Sequence, residues 1–167
     1  NSILRFLNTI KNHFLNAEHI DESLYIIACY IHQAYEQRNY DAALSEIKEF
    51  LELSSERFPF VEQQFIIKRA EIYRILGQFK KAYKQLLTVN KKFLPDGSGY
   101  WIEYLLSYCL FNCGKTKEAK EKAESLIDKF DTKKINDNYL LVKLDIFLAG
   151  MYHHFGDLRA ASRRYEQ

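Results

Sequence analysis

The sequence predicts an all-α chain built as an array of antiparallel helix pairs. Two observations carry that prediction. First, 167 residues contain only 2 Pro and 6 Gly, too few turn formers for a β-rich architecture and well suited to long helices. Second, one pattern occurs four times: an apolar helical run, a turn residue such as Gly, then a new stripe anchored by Ala. It is read in AYEQRNYDAALSEI (34–47), EIYRILGQFKKAY (71–83), CLFNCGKTKEAKEKA (109–123) and GMYHHFGDLRAASRRY (150–165).

The elements follow in order from apolar spacing. Ile3, Phe6, Leu7, Ile10 and Phe14 form one stripe of an amino-terminal helix over about 2–17, and its apolar face needs a partner. That helix, within 1–20, either caps the first pair or is the second helix of a preceding pair. The pairs then occupy 21–38 with 40–56, 60–76 with 79–93, 99–113 with 116–130, and 137–155 with 158–167. A Gly such as Gly77, just past a run of periodic apolar residues, can take the left-handed conformation that ends a helix. The anchoring alanines Ala43, Ala82, Ala119 and Ala161 lie 39, 37 and 42 residues apart, a period typical of stacked helix pairs. Each is small because two helices cross closely there. The repeat units are thus 21–58, 59–97, 98–136 and an incomplete 137–167, with LPDGSG (94–99) and DTKKIND (131–137) as the clearest linkers.

Composition narrows the function. Net charge is +2, from 24 basic against 22 acidic side chains, so nothing demands nucleic acid or an anionic membrane. The lysines of 114–134 alternate with Glu118, Glu121, Glu124, Asp128 and Asp131, which reads as a solvated outer helix with local ion pairs. No apolar run approaches the roughly 20 residues of a membrane span, and no signal-peptide layout opens the chain. Three cysteines, Cys29, Cys109 and Cys113, suit a reducing compartment. A cytoplasmic location is expected. The sequence opens at Asn1 and stops at Gln167 inside a helical pattern, so a fragment of a larger protein is expected too.

At the level of these residues the chain resembles the tetratricopeptide repeat (TPR) family, with divergent repeats. That family's first helix carries a bulky residue, then Leu-Gly or Leu-Ala, then Tyr; its second carries Ala and, four later, an aromatic. The fourth copy holds Leu148, Ala149, Tyr152, Gly156, Ala161 and Tyr165; the second holds Ile66, Ala70, Tyr73, Gly77, Phe79, Ala82 and Leu86, with Arg69 where Leu is usual. The third has Ser107, Leu110, Gly114, Ala119 and Ala123, with Glu103 in the bulky place. In the first, either Ile31, His32 and Tyr35 form the signature and the turn is one residue short, or Ala34 takes the tyrosine's place. The resemblance covers about 21–167 and implies a right-handed superhelical array, a TPR-like α-solenoid.

The resemblance also implies where function lies: the first helices of successive repeats line a concave groove. Residue by residue, this assigns Gln64, Ile67, Glu71 and Arg74 from the second repeat, Trp101, Tyr104, Tyr108 and Asn112 from the third, and Lys143, Ile146, His153 and His154 from the fourth. Tyr25, His32 and Tyr35 are the first repeat's candidates. Trp101, Tyr104 and Tyr108 share one stripe, and aromatics with a polar tip suit a peptide-binding surface; the same stripe could instead be core. Chaperone-binding members use a Lys and Asn clamp for a terminal carboxylate. The matching places here hold Tyr25, His32, Lys68, Trp101 and Leu105, so that ligand is not expected.

Catalysis finds little support. Adjacent His153 and His154 diverge by roughly 100° on a helix and cannot jointly ligate one metal in the HExxH manner. Cys109 and Cys113 lack two further donors nearby, and no phosphate-cradling loop or nucleophile motif occurs. The expectation is a protein-interaction module with no enzymatic activity, cofactor or metal, binding a peptide or partner helix in its groove. The alternative is the ligand-sensing half of a TPR-type transcriptional regulator or peptide-pheromone receptor. Neither nucleic acid nor membrane is an expected partner of these residues, and the open fourth repeat would favour a homodimer.

Overall fold

The computed structural model describes residues 2–133 and 137–166. Among them the chain is helical throughout: α1 Ser2–Asn16, α2 Ile20–Glu36, α3 Tyr40–Ser54, α4 Pro59–Ile75, α5 Phe79–Leu87, α6 Ser98–Asn112, α7 Thr116–Lys133, α8 Asn138–His154 and α9 Leu158–Tyr165, with a single 3-10 turn at Lys91–Phe93. It divides into two compact units between Ile72 and Tyr73, within α4.

One turn geometry joins the hairpins. After α4 the Gln78 amide donates to the Tyr73 carbonyl (2.8 Å) and the Gly77 amide to the Arg74 carbonyl (3.1 Å). Gly77 sits at φ +71°, so this is the left-handed stop in which two otherwise orphaned carbonyls find donors. Gly114 and Gly156 stand in the same place at φ +82° and +78°. Between α2 and α3 the place is held by Arg38 at φ +57°, and the Asn39 amide donates to the Ala34 carbonyl at 2.8 Å. That bond decides the first repeat's register: Ala34 occupies the position of Tyr73, and the turn is not shortened. A left-handed non-glycine residue costs about 1–2 kcal/mol. Arg38→Gly should therefore stabilise the first unit by about 0.5–1 kcal/mol once glycine's greater unfolded-state entropy is deducted, read as a raised urea midpoint at unchanged slope.

The same turn also joins α1 to α2. The His19 amide donates to the Phe14 carbonyl at 2.9 Å, around Glu18 at φ +60°. Thus α1 forms a regular hairpin with α2 and supplies Leu4 to a core with Leu24, Ile27, Ile31, Ile47 and Phe50. Two turns on, a buried ion cluster holds the same face of α1. Lys11, 6% exposed, donates to both Glu46 carboxylate oxygens (3.0 Å) and to Glu49 (2.9 Å) on α3. Burial disfavours the Lys11 ammonium, but the hydrogen bonds and charges of Glu49 and Glu46 outweigh it, and its pKa rises.

In the second unit α6 pairs with α7 and α8 with α9, while α5 packs on α6 and α7 on α8. Ala82, Ala119 and Ala161 are buried as close crossings require. One helix is shorter than its spacing predicts: the stripe expected over 79–93 stops at Leu87. There the Thr88 hydroxyl donates to the Gln85 carbonyl at 2.8 Å, and Asn90 accepts from the Lys92 amide at 3.1 Å, starting the separate 3-10 turn. Such side chains offer the backbone an alternative to the helix ladder. Conversely, α7 continues to Lys133, past the expected stop at 130. Of the linker read at 131–137, residues 134–136 lie outside the described residues, as do Asn1 and Gln167. No helix among the described residues is long and apolar enough to cross a membrane.

At and along α7 lysines find local acids: Lys115, just before the helix, with Glu118 (3.4 Å) and Lys120 with Glu124 (3.8 Å). Lys129 instead reaches α6, 2.7 Å from Glu103, which Lys91 also meets at 3.3 Å. Burial pushes the Glu103 carboxyl up, but bonding and charge from Lys129 and then Lys91 prevail, leaving its pKa below the usual range. A carboxyl with a lowered folded-state pKa contributes stability above its ordinary value and loses it as pH falls through the folded value. Acid destabilisation of the second unit, starting near about pH 5, should therefore be shallower in Glu103→Gln, as measured by urea unfolding across the acid range.

Candidate functional site: an aromatic layer on α6 and α8

Helix α6 starts after Gly97, whose φ of +88° lets LPDGSG turn into the helix. It is apolar on most of its circumference, as a helix packed on several sides must be. Ile102, Leu105 and Cys109 are buried. Burial lifts the Cys109 thiol to about 11, with Cys113 adding to the rise and Arg74 opposing it, so Cys109 stays protonated and a poor nucleophile or ligand. All three cysteines are free thiols, and no cluster of three or more metal-ligating side chains occurs among the described residues.

The other side of α6 carries the rings. Trp101 lies 5.2 Å from Tyr104 between centroids, and Tyr104 lies 6.3 Å from Tyr108. Facing them from α8, Phe147 meets Tyr104 edge-on at 5.9 Å, Tyr108 at 5.5 Å and Phe111 edge-on at 5.8 Å. Tyr139 extends the layer to Trp101 at 6.2 Å, and Phe79 touches Tyr108 at 6.2 Å. These separations and tilts are the ones that ring quadrupoles favour. Tyr104 is only 9% exposed and its phenol is pushed up by burial; Trp101 and Tyr108 are half-buried. Tyr104 is thus the packed middle of the stripe, and its two neighbours stay partly accessible.

The remaining candidates sit around this layer or apart from it. Arg74 places its guanidinium 5.5 Å from the Tyr108 ring. Exposed Lys143 lies 5.4 Å from the Tyr139 ring, and Ile146 is exposed beside Phe147. Both His153 and His154 are exposed, and His154 stands edge-on to Phe111 at 5.5 Å. Asn112, also exposed, donates to the Tyr108 carbonyl at 2.9 Å and lines a surface depression of about 430 Å³ with Phe79 and Lys81. Gln64, buried Ile67 and Glu71 belong to the first unit, as do exposed Tyr25, exposed His32 and half-buried Tyr35, over which Lys68 stacks at 3.9 Å.

Three rings of the layer on α6 and α8, Phe111, Tyr139 and Phe147, escape the projected groove positions, as does Phe79 of α5. A signal for two of them exists: Tyr139, Lys143 and Phe147 recur every four residues and share one face of α8.

With hairpins, left-handed stops and buried alanine crossings in place, the architecture can be set beside known structures. A TPR-like repeat protein from Podosopora anserina superposes with a TM-score of 0.62 at 15% identity, over 99% of this chain and 92% of that one. The fold is that of a TPR-like solenoid. MamA from Desulfovibrio magneticus RS-1 (TM-score 0.60, 14% identity, 99% and 93% of the two chains) and the apo form of RapI (0.59, 17%, 98% and 73%) share this TPR-like fold. Neither a protein-family model nor a curated protein sequence matches the chain.

Proposed function

We propose that the chain is a non-catalytic protein-interaction module whose TPR-like second unit binds a peptide or partner helix on the aromatic layer of α6 and α8. The observation that carries this reading is the half-buried state of Trp101 and Tyr108 on a floor of packed rings. Rigid, amphipathic rings with an open edge bury large area on binding and lose little entropy. The reading needs no cofactor or metal. A cytoplasmic setting accords with the free cysteines. The likeness to RapI, described as an apo form, favours ligand sensing within a regulator as the second reading.

The test is a screen of the purified chain against a short-peptide library, repeated with Tyr108→Ala and Asn112→Ala. Saturable binding weakened about tenfold or more in both variants, the scale of a hot-spot loss, supports the layer as the site. Absence of binding, or binding indifferent to both substitutions, rules it out and points to another face.

A further inference from the structure

The charges around the aromatic layer specify a partner more narrowly. Two cations flank it, each beside a tyrosine ring: Arg74 at Tyr108 and Lys143 at Tyr139. Neither forms an ion pair among the described residues, and the Arg74 Nε is buried with no acceptor. The acids of the two layer-bearing helices are engaged elsewhere. Glu103, the one acid on α6, is held by Lys129 and Lys91. Asp145, the one acid on α8, pairs with Arg164 of α9 at 3.0 Å. His153 and His154 add no negative charge. A surface of rings bordered by unneutralised cations repels basic ligands and attracts carboxylates, and a guanidinium stacked beside a ring retains a fork of donors for a carboxylate.

We infer that the partner is an acidic peptide segment in which two carboxylates bracket an apolar pair, one carboxylate at Arg74 and the other at Lys143, with the apolar side chains on Trp101 and Tyr108. The inference rests on the proposed binding role of the layer. The spacing follows from α6: Trp101 and Tyr108 are separated by seven helical residues, about 10 Å along the axis. An extended peptide covers that length in about three residues, so the two apolar residues stand three apart and the motif is acid, apolar, two spacer residues, apolar, acid.

The test uses three pools of acetylated, amidated, fluorescently labelled hexapeptides. The second and fifth positions are randomised over apolar residues, the third and fourth are Ser, and the first and sixth are both Asp, both Asn or both Lys. Affinity is measured by anisotropy for the intact chain and for Arg74→Gln, Lys143→Gln and Tyr108→Ala, each first checked for unchanged helicity. The expected result is about tenfold tighter binding of the Asp pool than the Asn pool, the weakest binding by the Lys pool, and loss of the Asp advantage at 0.5 M salt, where the Debye length is a few ångströms. Arg74→Gln and Lys143→Gln should each reduce the Asp advantage severalfold and weaken the Asn pool by a smaller factor. Equal affinity of Asp and Asn pools, with binding still sensitive to Tyr108→Ala, overturns the acidic preference and leaves the groove reading standing. No binding by any pool overturns both.

Discussion

Replacing Lys11 by Met is expected to cost the first unit about 3 kcal/mol, within the range for removing one partner of a buried ion pair. The cost arises from what remains. Glu46 and Glu49 stay close to each other on α3, with Glu46 only 11% exposed. Glu46, its pKa already raised by burial, loses the hydrogen bonds and charge of Lys11 that oppose the rise. The methionine fills the space of the lysine stem and neutralises neither acid. Urea unfolding followed by circular dichroism measures the loss. In the double variant Lys11→Met/Glu46→Leu most of the stability should return, because replacing a buried pair with apolar groups of similar volume is often neutral or better. If the single substitution costs less than about 1 kcal/mol, the value of an exposed pair, the cluster is solvated and does not anchor α1.

Phe147→Ala is expected to cost the second unit about 2–3 kcal/mol, below the 3–5 kcal/mol of a fully buried phenylalanine because Phe147 is half-buried. It also disorganises the candidate binding surface. This ring touches Tyr104, Tyr108 and Phe111 together, so its removal opens a gap beneath Tyr108 and frees that side chain to change rotamer. Affinity for peptides should then fall even though Phe147 need not touch them. Phe147→Leu separates the two effects: it restores most of the buried volume and, lacking a ring to hold Tyr108 at a fixed tilt, should recover stability more fully than affinity. Thermal unfolding and anisotropy on the same samples decide this. Equal recovery of both would mean that Phe147 serves packing alone.

The helices, their order and nearly all their boundaries were legible in the sequence because they depend on short-range spacing. Gly77, Gly114 and Gly156 mark where chains turn left-handed, and Ala43, Ala82, Ala119 and Ala161 mark where helices cross. Both are local steric demands that a residue either meets or fails. Other features emerged only in three dimensions. Arg38 and Glu18 hide two turns of the same geometry, since any residue can be forced into that conformation when the packing around it outweighs the strain. The register of the first repeat was undecidable until the Ala34 carbonyl was seen to accept from Asn39. Lys11 meets acids 35 and 38 residues away, a pairing that no helical period encodes.

The aromatic stripe divides in the same way. Spacing alone puts Trp101, Tyr104 and Tyr108 on one face of α6, but whether that face is core or surface depends on what α8 sets against it. The fold answers differently for each ring, burying Tyr104 and leaving the other two partly exposed. Local propensity and periodicity thus determined the helices and their turns, whereas exposure, charge neutralisation and ring contacts were decided by tertiary packing, because each depends on atoms brought together from distant parts of the chain.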